Sequence, residues 1–396
     1  MSANAMGPVV IAAGGTGGHL FPAEALAHEL KRRGRRIVLI TDERGRGFAQ
    51  NFPADEIIGV KAATFAGLNP ITRLMAGAKI LSGIGAARRA LKRLRPTAVV
   101  GFGGYPSLPA MAAAIMDGVP ACIHEQNAVL GRVNKRLAPF VTAIASTFPK
   151  LNGLAPRLEE KKFFTGNPVR DPVIARAGAA YKAPGQLGDV RLLIFGGSQG
   201  AQVFARVAPD ALAQLDPSLK RRIHVVLQAR PEDGEATQRK FASAGIAAEI
   251  APFFKDLPER MAAAHLVIAR GGASTICEIA VIGRPAIIVP LPSAMDDHQT
   301  FNARFLEEAG AAWLMPQQTL DANTLAKALS GALADPGTLE RAAAAALGLG
   351  RPDAARVLAD LVEQLPAKRA GRGARSKAGE AERIAPSFFY VPDGAS

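Results

Sequence analysis

The sequence predicts an α/β protein: two doubly wound parallel-sheet domains facing each other across a cleft. Three observations carry this. Short apolar runs of strand length alternate with longer helical runs along most of the 396 residues, as in parallel sheets joined by right-handed crossovers. A unit of strand, Gly-Gly-[Thr/Ser]-x-Gly and helix occurs twice, with its glycines at 14–18 and again at 196–200. Between them, residues 166–170 (GNPVR) read as a hinge. The length suits two or three domains. The expected division is a first domain over 1–168, a second over 169–352, a closing helix over 353–365, and a basic, disordered tail over 366–396.

In order along the chain, residues 9–13 form a buried strand that runs into Gly14, Gly15, Thr16, Gly17, Gly18 and His19, and a helix is expected from about Pro22 to Arg33. The loop fits neither the G-x-G-x-x-G fingerprint nor a P-loop, which needs a following lysine. Residues 37–40 form the second strand. Asp42 at its end could take a ribose in a dinucleotide fold, but a turn fits it better. Residues 98–101 are a strand entering a second glycine loop with Gly103, Gly104 and Tyr105. Residues 121–123 are a strand ending in His124, Glu125, Gln126 and Asn127. Polar side chains at the carboxyl end of a buried strand stand where open α/β sheets bind ligands.

After a strand at 163–165 and the hinge, strands follow at 190–195, 223–227 and 248–251. Residues 266–299 then offer the densest chemistry. A strand at 266–269 leads through Arg270, Gly271 and Gly272 into a helix at 273–281, and a strand at 286–289 leads to Asp296, Asp297, His298 and Gln299. Open amides and the dipole at a helix N-terminus suit a phosphate. Glu278, two turns along that helix, has acceptor oxygens for a pair of hydroxyls such as those of ribose. The same unit also reads as an ordinary βαβ with a capping loop.

Residues 1–168 hold 22 Lys/Arg against 10 Asp/Glu, whereas 169–365 hold 20 against 21. The excess points to an anionic partner for the first half. No acidic residue occurs from 57 to 116. There Ile71, Leu74, Met75, Ile80, Leu81 and Ile84 are rimmed by Arg73, Lys79, Arg88, Arg89, Lys92, Arg93 and Arg95. This suits an anionic membrane surface, and equally an amphipathic helix packed on the sheet with a solvated basic face. Nucleic acid is not expected as a partner, since aromatics are not interleaved with the cations. Cys122 and Cys277 lie in apolar runs and are expected as buried thiols. Residues 97–116 carry no charge but contain Gly103, Gly104, Pro106 and Pro109, so they read as strand, loop and helix rather than a membrane span. Residues 1–6 are short and uncharged, and no secretory signal is expected. Phe388, Phe389, Tyr390 and Val391 form an apolar knot in the tail that could dock, although exposure suits it better.

Together, GGTGGH at 14–19, GFGGYPS at 101–107, HEQN at 124–127, GNPVR at 166–170, GGSQGA at 196–201, RGGASTICE at 270–278 and DDHQ at 296–299 resemble the MurG family of peptidoglycan N-acetylglucosaminyltransferases. The resemblance implies a GT-B fold and inverting transfer of GlcNAc from UDP-GlcNAc to the C4 hydroxyl of the MurNAc of lipid I, giving lipid II. It implies an acceptor and membrane-associating first domain and a second domain that binds UDP-GlcNAc. In the family's pattern, Thr16, Gly17 and Gly18 line the sugar-nucleotide and acceptor face. Gly14, Gly15, Gly103, Gly104 and Tyr105 belong to acceptor or phosphate loops. Asn127 and Arg170 contact the donor, Ser198 its phosphates, and Phe254 the uracil. Ala273, Ser274, Thr275, Ile276, Cys277 and Glu278 hold pyrophosphate and ribose, and Gln299 the GlcNAc. His19 is the candidate base, with Glu125 as the alternative. The partners implied are UDP-GlcNAc, lipid I, the anionic cytoplasmic face of a bacterial inner membrane, and cell-wall or division proteins. No metal or other cofactor is expected, since no D-x-D pair occurs. One departure is Arg230, where the family often has glycine. Rival readings are a UDP-GlcNAc 2-epimerase, which leaves the basic apolar patch unexplained, and a non-catalytic nucleotide-sugar sensor.

Overall fold

The computed structural model of the chain describes residues 7–14, 17–48, 51–63, 70–185, 187–197 and 202–366. Gly15, Thr16, Ser198 and residues 367–396 of the expected tail, including 388–391, lie outside these.

The first sheet has seven parallel strands: β1 (Val9–Ala12), β2 (Ile37–Thr41), β3 (Glu56–Gly59), β4 (Ala98–Gly101), β5 (Ala121–Glu125), β6 (Ala143–Ser146) and β7 (Lys162–Phe164). Their order is β3-β2-β1-β4-β5-β6-β7. The second has six: β8 (Val190–Phe195), β9 (Ile223–Gln228), β10 (Ala247–Ala251), β11 (Leu266–Ala269), β12 (Ala286–Ile288) and β13 (Ala312–Leu314), in the order β10-β9-β8-β11-β12-β13. The sequence reading missed β3, β6 and β13. They run EIIG, AIAS and AWL, too short for periodicity to separate them from loop.

Strand alternation sorts the core. Val10 and Ala12 of β1 face helices Pro70–Leu94 and Gly104–Asp117, and Val9 and Ile11 face helix Gly17–Arg32. That first helix starts at Gly17 rather than near Pro22, so His19 stands in its first turn. Pro22 lacks an amide hydrogen and forfeits only the bond to the Gly18 carbonyl. The last helix, Ala354–Glu363, returns to the first domain, where Leu358, Ala359 and Val362 join the layer of Val9 and Ile11. Arg33 clamps it there, 2.7 Å from Asp360 and 2.9 Å from Glu363.

The domains also share apolar contacts. Ala128 and Phe148 of the first pack into the second-domain core, and Phe148 meets Phe305 edge-on at 5.1 Å. Arg284 is 1% exposed and carries no carboxylate partner among the described residues. Its guanidinium instead donates to the carbonyls of Ala179, Ala180, Ala262, Ile282 and Gly283, pinning the chain that enters β8. Both cysteines are free, and burial pushes each thiol up to about 12. Cys277 is half-buried, short of the buried thiol expected, whereas Cys122 is buried as expected.

Candidate active site

Both sheets reverse strand order beside their first strand: β1 lies between β2 and β4, and β8 between β9 and β11. Parallel sheets leave a crevice at the carboxyl ends of the strands flanking such a reversal. The two crevices meet in one cleft of about 1020 Å³. Gly18, His19, Phe21, Gln126 and Asn127 form its first-domain wall, and Arg170 reaches it from the hinge.

The opposite wall centres on helix Ala273–Ile282. Its N-cap, Gly272, has extended backbone and offers no side-chain cap, so the first-turn amides at Ala273, Ser274 and Thr275 face the cleft. Gly271 leaves no room for a side chain, because a Cβ there would lie 2.4 Å from the Gln299 carbonyl oxygen. Gln299 Oε1 accepts from the amides of Gly271 at 3.1 Å and Leu291 at 2.9 Å. Its carbonyl end is thus occupied, and its NH₂ group remains to donate into the cleft. Glu278 is 7% exposed and faces Arg170 at 3.7 Å. Burial raises the Glu278 carboxyl above its ordinary range, while Arg170 works the other way. Arg170 also stacks its guanidinium 4.5 Å over the Phe21 ring. Phe254 lines the cleft beneath the Arg260 guanidinium.

On the first-domain side, Gly103 and Gly104 both have positive φ, 79° and 69°, which glycine adopts without strain. A Cβ on Gly104 would stand 3.3 Å from His19 Nε2, so the bare backbone keeps that nitrogen uncovered on this side. His19 Nδ1 lies 3.1 Å from Gln126 Oε1, Gln126 Nε2 lies 3.1 Å from His124 Nδ1, and His124 Nε2 lies 3.1 Å from the Gly166 carbonyl oxygen.

Two further contacts bridge the walls. Asn302, fully buried on helix His298–Glu307, donates to Asn127 Oδ1 at 3.1 Å and to the Gly271 carbonyl at 3.0 Å, and accepts from Ala128 N–H at 2.8 Å. Arg132 grips Asp296 with two bonds, at 2.9 and 3.2 Å. Asp296 and the next residue, Asp297, hold left-handed backbone, φ 53° and 52°.

Several expected site residues stand elsewhere. Glu125 is 2% exposed and does not line the cleft. Its oxygens accept from the amides of Asn127 and Gly131 and from the Asn134 side chain, shaping the loop after β5. Tyr105 packs partly buried against the first-domain core. Ile276 is buried in the second-domain core, and its amide is spent on the Gly272 carbonyl. Cys277 turns away from the cleft towards Asn167 and Phe305. Helical rotation of about 100° per residue accounts for this: Ser274, Thr275 and Glu278 fall within one arc of about 100° that Ile276 and Cys277 lie outside, and Ala273 reaches the cleft as the first residue of the helix. Gly14 lies outside the lining. It is needed because a Cβ would come within 2.9 Å of Asp42, Pro106 and Thr41. Asp42 accepts from the Gly45 amide and so serves a turn.

The sequence places Gln126 only among the polar side chains at the end of β5, and it assigns no individual role to Arg270 or Asn302. Arg270 is 9% exposed, bonded to the Val289 and Pro290 carbonyls and to Gln317, with burial lowering its pKa. Its cation faces the cleft, with Arg206, Arg230 and Lys255 further along. Arg230, the departure from the family's glycine, therefore adds a charge to the cleft rather than closing it. Among the described residues no His, Cys, Asp and Glu cluster has metal-holding geometry.

Two family models match the chain: the glycosyltransferase family 28 N-terminal domain over residues 9–146 and its C-terminal domain over 191–358. The UDP-N-acetylglucosamine--N-acetylmuramyl-(pentapeptide) pyrophosphoryl-undecaprenol N-acetylglucosamine transferase of Chelativorans sp. (strain BNC1) is 51% identical over 358 residues, covering 90% of this chain and 95% of that one. The crystal structure of Acinetobacter baumannii MurG is similar at a TM-score of 0.74 and 31% identity, over 90% of this chain and 99% of that one. A putative UDP-N-acetylglucosamine 2-epimerase from Listeria monocytogenes shares the fold at a TM-score of 0.61 and 16% identity, over 90% and 96% of the two chains.

Proposed function

Since this chain belongs to the glycosyltransferase 28 family, within the MurG group of N-acetylglucosamine transferases, we propose that its cleft moves GlcNAc from UDP-GlcNAc to the C4 hydroxyl of the MurNAc of lipid I with inversion, yielding lipid II. The observation that supports this most is the division of labour between the walls. The second domain presents open helix amides, Arg270, Glu278 and the donating end of Gln299. The first presents His19.

In this reading Ala273, Ser274 and Thr275 hold the pyrophosphate, Glu278 takes the ribose hydroxyls, Gln299 the GlcNAc, and Phe254 the uracil. As the C4 oxygen bonds to the anomeric carbon, the bond to UDP breaks and negative charge collects on the diphosphate. Fixed amides and Arg270 stabilise that charge as it develops. His19 Nε2 takes the C4 hydroxyl proton on the opposite face. Glu125 organises the loop that carries Gln126 and Asn127.

The lipid-linked acceptor requires a membrane surface. Leu74, Met75 and Leu81 are 78%, 67% and 69% exposed on helix 70–94, among Lys79, Arg89 and Lys92. We assign this face to the anionic inner leaflet. No helix among the described residues is long and apolar enough to cross a membrane.

Turnover of the full chain with UDP-GlcNAc, UDP-GalNAc and UDP-Glc on a lipid-linked muramoyl acceptor tests the reaction, with UDP-GlcNAc expected to be preferred. His19→Ala is expected to lower kcat about a hundredfold and leave UDP affinity intact. Glu278→Ala is expected to weaken UDP binding by about 2–4 kcal/mol, since charged hydrogen bonds contribute roughly 1.5–3 each without full additivity. Epimerisation of UDP-GlcNAc without transfer, or unchanged UDP affinity in Glu278→Ala, defeats this reading.

A further inference from the structure

We propose that Gln126 and His124 are positioning residues: they lock His19 in the tautomer protonated at Nδ1, leaving its Nε2 lone pair for the acceptor hydroxyl. The inference deepens the transferase reading above and rests on it for its catalytic consequence. The tautomer itself follows from geometry.

The hydrogen-bonded chain begins at a group whose role is fixed. The Gly166 carbonyl can only accept a hydrogen bond. His124 Nε2 lies 3.1 Å from it, so that nitrogen carries the proton. His124 is fully buried, packed against the Phe102 ring at 5.1 Å. Burial brings its pKa down to about 4, with the Gly166 bond opposing and His19 adding to the fall. A neutral ring with its proton on Nε2 has an acceptor at Nδ1.

The next link is then determined. Gln126 must turn its NH₂ group towards His124, where the two hydrogens reach Nδ1 at 3.1 Å and the His124 carbonyl at 3.2 Å. Its oxygen therefore faces His19, and His19 Nδ1, 3.1 Å away, must donate to it. In neutral His19 the remaining nitrogen, Nε2, is unprotonated. It is also the nitrogen that the side-chain-free Gly104 leaves uncovered. An amide end and two ring ends that are each ambiguous alone are settled together by one backbone carbonyl.

The anchor lies at the hinge. Gly166 has φ 76°, and a Cβ on it would fall 2.9 Å from Arg351 Cβ and 3.1 Å from Ala354 Cβ. The first crossover between the domains is thus packed against the second. The lock ties the proton inventory of the base to the point where the two domains join, through side chains rather than through the ligand.

Full-length protein labelled with ¹⁵N at its histidine rings, with His19 assigned by the loss of its signal in His19→Gln, shows each tautomer directly at neutral pH. The expected result is a proton on Nδ1 of His19 and on Nε2 of His124. Gln126→Met removes the bonds from Gln126 to His19 Nδ1, to His124 Nδ1 and to the His124 carbonyl. His19 is then expected to shift towards the Nε2-protonated form, and kcat to fall at least about tenfold, with UDP affinity and acceptor KM within about twofold. Gln126→Glu restores an acceptor for His19 Nδ1 and is expected to recover part of that turnover. A wild-type His19 protonated on Nε2 overturns the proposal. So does turnover in Gln126→Met within about twofold of wild type, or a loss confined to acceptor KM. A wild-type chain that transfers no GlcNAc defeats the proposed function instead, since the spectra decide the tautomers without turnover.

Discussion

His124 carries no catalytic contact and yet has the most displaced histidine equilibrium in the chain. Its ring refuses a proton until about pH 4, first because burial penalises the imidazolium. An unfolded chain takes that proton near the ordinary 6.5. The folded state therefore binds fewer protons than the unfolded state between these values. Stability from this site is full above pH 6.5, falls as the pH drops towards 4, and is constant below. The expected loss is on the order of 3 kcal/mol across the window, at about 1.4 kcal/mol per unit. Urea denaturation of wild type and His124→Asn between pH 7.5 and 4.5 checks it, and the variant's stability should fall less steeply. Equal slopes count against the assignment. At this scale the second-domain wall of the cleft was legible, since an amide-bearing helix start and Glu278 sit within one short stretch. The contacts of Gln126 with His19 and of Asn302 with Asn127 were not, because these partners lie 107 and 175 positions apart in sequence. Asn302 did leave a trace: a polar residue one turn past Gln299, on the buried side of its helix.

At the scale of elements, helix 70–94 shows how far periodicity reaches. Its apolar and basic composition allowed both a membrane face and a core face, and the structure divides the residues between them. Ile80 is 7% exposed, and Ile84 packs partly buried on the first-domain core, while Leu74, Met75 and Leu81 face outwards. The side chains of Ile71 and Arg73 lie outside the described residues. Arg88 and Arg93 are engaged by Asp117 and Glu56. Replacing Leu74, Met75 and Leu81 together by Ser is expected to weaken binding to anionic vesicles at least tenfold, since each buried apolar side chain contributes about 1.5–3 kcal/mol. UDP affinity and thermal stability should hold. Co-sedimentation and calorimetry check this, and loss of folding would mean that the face belongs to the core. Strand positions were legible wherever four or more apolar residues ran together. Edge strands such as β3, with alternating exposure, were not.

Across the whole molecule, the two halves repeat one plan, and the glycine loops announced it in the sequence. What no local pattern announced is how the halves are held. Asn302 and the Arg132–Asp296 pair fasten loops from opposite walls. The final helix leaves the second domain to complete the first. Leu358→Ala should therefore cost about 2–5 kcal/mol of stability, although it lies far from the cleft in sequence. Chemical denaturation reads that loss, and an unchanged midpoint would mean that the helix is dispensable. The same feature sets an order of events at the ribosome. The first sheet is translated first, but its apolar strip waits for Leu358, about 190 residues after the sheet's last strand. At 5–20 residues per second that interval lasts about 10–40 s. A message cut short between codons 164 and 354 releases a first domain with that strip bare, a target for chaperones and proteases rather than half of a working protein.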